Sequence, residues 1–397
     1  MMPAHLTIVA STLTNACGVG WTAVRSALRE GNSALRPFDL EWAAPVSTWI
    51  GRVPDLERVE MPEEFARLDS RNSRLAHLCL EQDRFREAVA AAVARHGRER
   101  IGLFVGTTTS GILSTELAYR SQSGEASDPD RQRLLDRSVH NMHATTAFVR
   151  GRLGLAGSAQ TISSACSSSA KVFAAAARFI AAGLCDAAVV GGVDSLALST
   201  LFGFRALDLV SAAPCRPCDV DRDGISLGEA AGFALIEPEG DGAVRMLGCG
   251  ESSDAWHMSS PHPEGAGAIV AMRAALASAA IDAATVDYVN LHGTASRAND
   301  IAEDCAITAV FGTATPVSST KGYTGHTLGA AGITEALLTT MALDGQWLPG
   351  TVNCVTVDPA LRANVVRESR EQRLSVAMSN SFGFGGSNCA LLFGRAR

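Results

Sequence analysis

Four short apolar runs punctuate the chain: IGLFVG at 101–106, AAVVGGV at 187–193, VDYVNL at 286–291 and LSVAMSN at 374–380. Each is rich in β-branched or other apolar side chains and is bounded by Gly, Asp or Ser, the pattern of a strand buried on both faces. Between them, alanine-rich stretches at 84–96, 167–182 and 266–280 predict helices. Strands alternating with helices predict an α/β protein with largely buried sheets. The most apolar stretch, 172–193, is broken by Arg178 and Asp186 and does not read as a membrane span.

The pattern repeats itself. SSACSSSAKVFAAAARFIAAG (163–183) enters a predicted helix through small residues and leads to the strand AAVVGGV. TGHTLGAAGITEALLTTMAL (324–343) enters a second helix in the same way and precedes LSVAMSNSFGFGG. Gly, Ala, Ser and Thr at a helix start permit close approach of a neighbouring backbone. The echo predicts two similar halves meeting near residue 240, with any chemistry where the two helix starts converge.

Composition narrows the function classes. The 397 residues carry 34 basic and 41 acidic side chains, a net charge of −7, with 47% hydrophobic and 19% charged residues. That supplies a large core and excludes a disordered polar chain. The acidic balance argues against a general nucleic-acid-binding face. The N-terminal segment lacks the charged start and apolar run of a secretory signal, and the ten cysteines are scattered. The expectation is a cytoplasmic protein with reduced thiols and no membrane span. Only two lysines, Lys171 and Lys321, stand against 32 arginines, so a compact ammonium at either place invites a reason.

Cys166 lies where a predicted strand turns into a predicted helix. There, unpaired helix N–H groups favour thiolate and can hold an oxyanion; a buried, inert thiol is the alternative. His292, in NLHGTAS, follows a predicted strand, and His326, in STKGYTGHTLGAAG, lies at a helix start five residues after Lys321. Any one of these is ordinary; two boundary histidines with a helix-start cysteine are not. The glycine-rich NSFGFGGSN (380–388) could aim backbone N–H groups at a reacting carbonyl, or could be a tight turn between core strands. It contains no phosphate-binding G-x-x-x-x-G-K-[ST] pattern. Asp219-x-Asp221-x-Asp223-Gly224 imitates the start of a calcium loop, but Ala230 stands where the twelfth-position Glu belongs, so a hydrogen-bonded turn is expected. Cys215-x-x-Cys218 has no second ligand pair. No metal or cofactor is expected.

Together SSACSSSA, NLHGTAS, STKGYTGHTLGAAG, SFGFGGSN and RPCDVDRDGISLGEAAG (216–232) resemble, in order and spacing, the β-ketoacyl-acyl carrier protein synthases of the decarboxylating, elongating type. The resemblance spans almost the whole chain. It implies a thiolase-type α/β fold of two duplicated halves in five αβαβα layers: residues 1–240 carrying the nucleophile, residues 241–397 carrying the two histidines. It implies Cys166 as acyl acceptor, His292 and His326 acting in decarboxylation and enolate stabilisation, and Lys321 holding the site's electrostatics with Glu335. Backbone N–H groups of Cys166 and Phe384 would form the oxyanion hole, with Phe384 also gating acyl access. Thr294, with Ser296 replacing a usual second threonine, would contact the pantetheine arm.

The implied partners are an acyl carrier protein and a second subunit, either an identical copy or a chain-length-factor-like protein. Arg67, Arg71 and Arg74, at helical spacing, and Arg205, near a carrier-contacting position of the family, are the expected docking residues. Lys171 stands where synthases of fatty-acid synthesis often have histidine. With ACSSSAKVFA and SRNSRLA (70–76), it resembles the ketosynthases of bacterial aryl-polyene pathways. A catalytically silent chain-length partner usually lacks the cysteine, and a non-decarboxylating thiolase has a cysteine in its SFGFGG segment. Neither pattern is present here.

Overall fold

The computed structural model describes residues 5–120 and 137–396. Ten strands carry the architecture: β1 (Leu6–Asn15), β2 (Ile101–Gly106), β3 (Ala159–Ile162), β4 (Ala187–Asp194), β5 (Ala230–Glu237), β6 (Val244–Ser253), β7 (Tyr288–Asn290), β8 (Pro316–Ser318), β9 (Val376–Gly383) and β10 (Ser387–Arg395). The helices that matter here are α1 (Arg71–Leu80), α2 (Phe85–His96), α3 (Ala144–Arg152), α4 (Ser168–Ala181), α5 (Leu198–Ala206), α6 (Ala266–Ala279), α7 (Arg297–Phe311) and α8 (Ala331–Gly345). All four apolar runs are strands and all three alanine-rich stretches are helices. The run at 286–291 yields only a three-residue strand, because Val286 closes a 3-10 turn over Ala283–Thr285.

The first five strands lie in the order β1-β5-β4-β2-β3, and the next five in the order β6-β10-β9-β7-β8. In both sets the first two junctions are antiparallel and the last two parallel. Identical serial order and identical sense make the duplication explicit. The sets join edge to edge where Leu6 pairs with Met246 and Thr7 with Arg245.

α4 and α8, the two echoed helices, occupy the middle layer between the sheets. α8 is buried from Ala331 to Leu343, as befits a helix with apolar or small residues on every side. The small residues at the helix starts have their predicted purpose: a Cβ on Gly332 would lie 2.3 Å from the Ala170 nitrogen. The Ser169 hydroxyl accepts the Ile333 N–H at 2.8 Å. α2 and α3 cover the outside of the first sheet, and α6 and α7 the outside of the second, completing five αβαβα layers. Among the described residues no helix is long and apolar enough to cross a membrane, and the ten cysteines are all free thiols.

This topology places the site. Parallel strands run in one sense, so Thr107, Cys166 and Asp194 follow or end β2, β3 and β4, while His292, Lys321 and Phe384 follow β7, β8 and β9. The carboxyl ends of parallel strands are where open α/β sheets bind ligands, and here two such ends converge.

Candidate active site

Beyond β3 the chain turns sharply through Ala165, held at φ 53° in the left-handed region that a Cβ disfavours. The neighbouring serines satisfy the turn: the Ser168 hydroxyl accepts the Ser164 N–H at 2.9 Å, and the Ser167 hydroxyl donates to the Ser164 carbonyl at 2.9 Å. Cys166 is thereby presented at the start of α4, only 6% exposed, with Sγ 3.0 Å from Nε2 of His326. The glycine-rich turn lies directly above. The Phe384 N–H donates to the sulfur, and a Cβ on Gly383 would lie 2.9 Å from the Ser164 carbonyl and 3.2 Å from the Cys166 nitrogen.

The expectation of a thiolate favoured by the helix start needs correction. Burial pushes the Cys166 thiol up to about 12, outweighing the Lys321 ammonium and the Phe384 N–H that act the other way. The resting nucleophile is a neutral thiol.

Both imidazoles are neutral too. Burial first, and the Lys321 ammonium second, hold His292 and His326 well below the usual histidine range. Their rings meet edge to face, centroids 5.3 Å apart at 84°. Lys321 Nζ lies 3.3 Å from Nδ1 of His292 and also donates to the His292 carbonyl and to the Glu335 carboxylate. An ammonium offers only donors, so Nδ1 of His292 accepts and its proton sits on Nε2. Burial lifts Glu335 to about 7, with Lys321 pulling it down.

The Cys166, His292 and His326 donor atoms lie within 4.8 Å of one another. That set could in principle ligate a soft cation, but Lys321 already supplies positive charge against His292.

His326 is clamped by the RDGISLGEAAG segment: its N–H donates to the Ser226 carbonyl at 2.7 Å, and its carbonyl accepts the Gly228 N–H at 2.9 Å. Two carboxylates that sequence reading missed hold the remaining loops. Glu303, on α7, accepts the His292 and Gly293 N–H groups at 2.8 and 2.7 Å and the Asn380 amide at 3.2 Å. Asp194, at the end of β4, accepts from Thr107, Thr108, Thr109 and, at 2.6 Å, from the Gly329 N–H beyond His326. A signal existed for Glu303. On α7, Asp300, Glu303, Asp304 and Ile307 share the buried stripe, and three acids where apolar residues belong mark polar work inside.

Cys166, His292, His326 and Phe384 line a cavity of about 90 Å³, together with Thr294 and Ser296, whose hydroxyls are 3.0 Å apart. Lys321 and Glu335 stand behind the histidines. Lys171, on α4, instead lies 3.9 Å from Glu251 as an ion pair. The acidic run at 219–223 is the expected turn, Asp219 accepting the Asp221, Val355 and Thr356 N–H groups.

The arginines divide. Arg205 is exposed at the end of α5, one residue from the cleft-lining Phe204, and Arg67 is exposed on a separate 3-10 turn, Glu63–Leu68. Arg74 forks onto Asp69 at 2.6 and 2.7 Å. Arg71 does not present itself for docking. Its guanidinium turns inward to the fully buried Glu229 at 2.8 and 2.6 Å, and to Glu57.

Comparison with known proteins agrees with this geometry. Residues 7–241 match the family described as "Beta-ketoacyl synthase, N-terminal domain", and residues 244–355 match "Beta-ketoacyl synthase, C-terminal domain". The chain is 35% identical over 316 residues to 3-oxoacyl-[acyl-carrier-protein] synthase 2 of Vibrio cholerae, covering 75% of this chain and 76% of that one. It is 32% identical to Nodulation protein E of a Rhizobium species, over 97% and 98% of the two chains. Among solved structures, the ketosynthase ApeO of Xenorhabdus doucetiae, in complex with its chain length factor ApeC, superposes with a TM-score of 0.89 at 37% identity, covering 99% of this chain and 98% of that chain. A chain matched by both halves of one family, and along nearly its full length by such relatives, belongs to that family: it is a β-ketoacyl synthase, a carbon–carbon bond-forming acyltransferase of the elongating type and of thiolase fold.

Proposed function

We propose that the protein joins an acyl group held on Cys166 to a malonyl unit delivered by an acyl carrier protein, in a decarboxylative Claisen condensation. The observation that carries this reading is the neutral Cys166–His326 pair at 3.0 Å beside a His292 whose tautomer is set by Lys321. In the first step the Cys166 sulfur attacks the carrier's thioester carbonyl. The thiol proton passes through Nε2 of His326 to the departing carrier thiolate, and the tetrahedral oxyanion rests on the Cys166 and Phe384 N–H groups. In the second step the malonyl carboxylate leaves as CO2. Its electron pair becomes an enolate held by Nε2–H donors of His292 and His326, which neutral imidazoles can provide in a dry pocket. The carbanion then attacks the acyl-Cys166 carbonyl. A carbon–carbon bond forms, the C–S bond breaks, and Cys166 takes up one proton.

His326 takes the thiol proton at Nε2 and passes it on in the first step, and in the second step it offers Nε2–H as a hydrogen-bond donor. Its Nδ1 has no hydrogen-bond partner among the described residues, so only the Cys166 thiol at Nε2 biases its tautomer, and acylation of Cys166 removes that bias. His292, pinned by Lys321, only donates. Thr294 and Ser296 would bind the pantetheine arm, and Arg205 and Arg67 would meet the acidic carrier.

Lys171 and the SRNSRLA segment support a specialised pathway, of aryl-polyene type, over primary fatty-acid synthesis. The ApeO–ApeC complex supports pairing with a chain-length-factor-like subunit. Intact-protein mass spectrometry against a panel of acyl carrier proteins tests the reading. A covalent acyl adduct lost in Cys166→Ala is expected, with the preferred acyl group defining the pathway. No adduct from any donor, with and without a partner subunit, refutes it.

A further inference from the structure

Phe204 is a part of this site that neither motif nor charge announces. It sits in the last turn of α5, half-buried, and lines the cleft together with Phe384. The two rings have centroids 5.4 Å apart, tilted by 50°. The pair is asymmetric in how it is held. Phe204 is anchored on a helix and packs against the apolar cluster containing Leu201, Ile225, Leu227 and Leu328.

Phe384 instead lies between Gly383 and two glycines in the left-handed region, Gly385 at φ 78° and Gly386 at φ 74°. The backbone of that turn is tied down, by the Gly385 N–H on the Met258 carbonyl at 2.8 Å and the Asp254 N–H on the Gly386 carbonyl at 2.9 Å. No atom lies within 4 Å of where a Cβ on Gly385 would stand. These hydrogen bonds fix the backbone of the turn but not the Phe384 side chain.

We propose that Phe204 is the fixed stop on which the Phe384 ring closes, a positioning residue that sets how often the route to Cys166 is open. The inference rests on the reading of Phe384 as the gate over Cys166. The contact between the two tilted rings favours the closed ring position in a way that an aliphatic side chain of similar bulk cannot replace. Phe204→Leu keeps the packing against the α5 cluster and removes the ring–ring contact, whereas Phe204→Tyr keeps both.

The test is the rate at which Cys166 is alkylated, followed by peptide mass spectrometry with iodoacetamide and with a bulky maleimide. Phe204→Leu should raise the Cys166 rate about threefold to tenfold, the population shift expected from losing one aromatic contact, and more for the maleimide than for iodoacetamide. Phe204→Tyr should react as the unaltered protein does. The other nine cysteines are internal controls for loosening of the fold. An unchanged Cys166 rate in both Phe204→Leu and Phe204→Ala overturns the proposal, as does a rise shared by Cys79, Cys249 and Cys389. Alkylation needs no acyl donor, so failure here is distinct from failure of Cys166 to accept an acyl group.

Discussion

Replacing Gly383 with alanine separates the oxyanion geometry from the stability of the fold. Gly383 has φ −105° and ψ 152°, a conformation any residue adopts, so alanine meets no backbone strain there. What it meets is the nucleophile turn. Its Cβ would lie 2.9 Å from the Ser164 carbonyl oxygen and 3.2 Å from both the Cys166 and Ser167 nitrogens, where ordinary contact begins at 3.4 Å. All three are backbone atoms and cannot rotate aside. The turn must therefore lift by about half an ångström, carrying the next N–H, that of Phe384, away from the sulfur and from any oxyanion formed there. Losing one preorganised donor of this kind costs about 10²–10³ in rate, and a partial displacement should reach the lower figure. Stability should change little, because the loss of unfolded-state freedom on replacing Gly contributes about 0.4–1 kcal/mol against the steric cost. Quenched-flow mass spectrometry of acyl-Cys166 formation reads the rate, and thermal unfolding reads the fold. A variant that acylates within threefold of the unaltered protein would show that the Phe384 N–H is not an oxyanion donor. Slow acylation accompanied by a collapsed melting temperature would show that the close approach serves packing alone.

Four further outcomes follow from the geometry. His292→Ala should leave acylation of Cys166 within about threefold while lowering malonyl decarboxylation by 10² or more, and His326→Ala should impair both; equal losses in both steps for both variants would contradict the division of roles. Burial lifts Glu303 from 4.5 to about 7, so the folded protein binds an extra proton between those values and loses stability as pH rises through them. Relative to Glu303→Gln, which carries no charge, the unaltered protein should lose about 3 kcal/mol between pH 4.5 and 8. Urea unfolding at several pH values measures this, and a difference constant with pH would refute it. Arg205→Glu should raise KM for carrier-bound acyl groups at least tenfold and leave small thioesters unaffected. Arg71→Ala should instead destabilise the fold by about 3–5 kcal/mol, since it strands the buried Glu229 charge; a docking defect without loss of stability would reverse that assignment.

Much of this protein is legible in one dimension. Strand and helix reveal themselves through local periodicity, so the buried runs and alanine-rich helices could be placed within a few residues. The echo between 163–183 and 324–343 foretold a duplication, because close-packed helix starts need Gly, Ala and Ser wherever they occur. Cys166, His292, Lys321 and His326 stood in short blocks whose composition marked them. What depended on the tertiary structure was every property arising from residues far apart in the chain. Arg71 looked like surface charge by its spacing, yet Glu229, 158 residues later, draws it inward. Helix-start chemistry predicted a thiolate at Cys166, but the five layers bury it, and desolvation outweighs the local dipole. Asp194 carries no local signature of its task, and the acidic stripe of α7 marks Glu303 as polar without showing what it holds, because their partners lie on other elements: Gly329, 135 residues on, for the one, and Asn380, 77 residues on, for the other. Periodicity is a local property of the chain; burial, charge pairing and the alignment of donors on one reacting atom exist only once distant segments share a site.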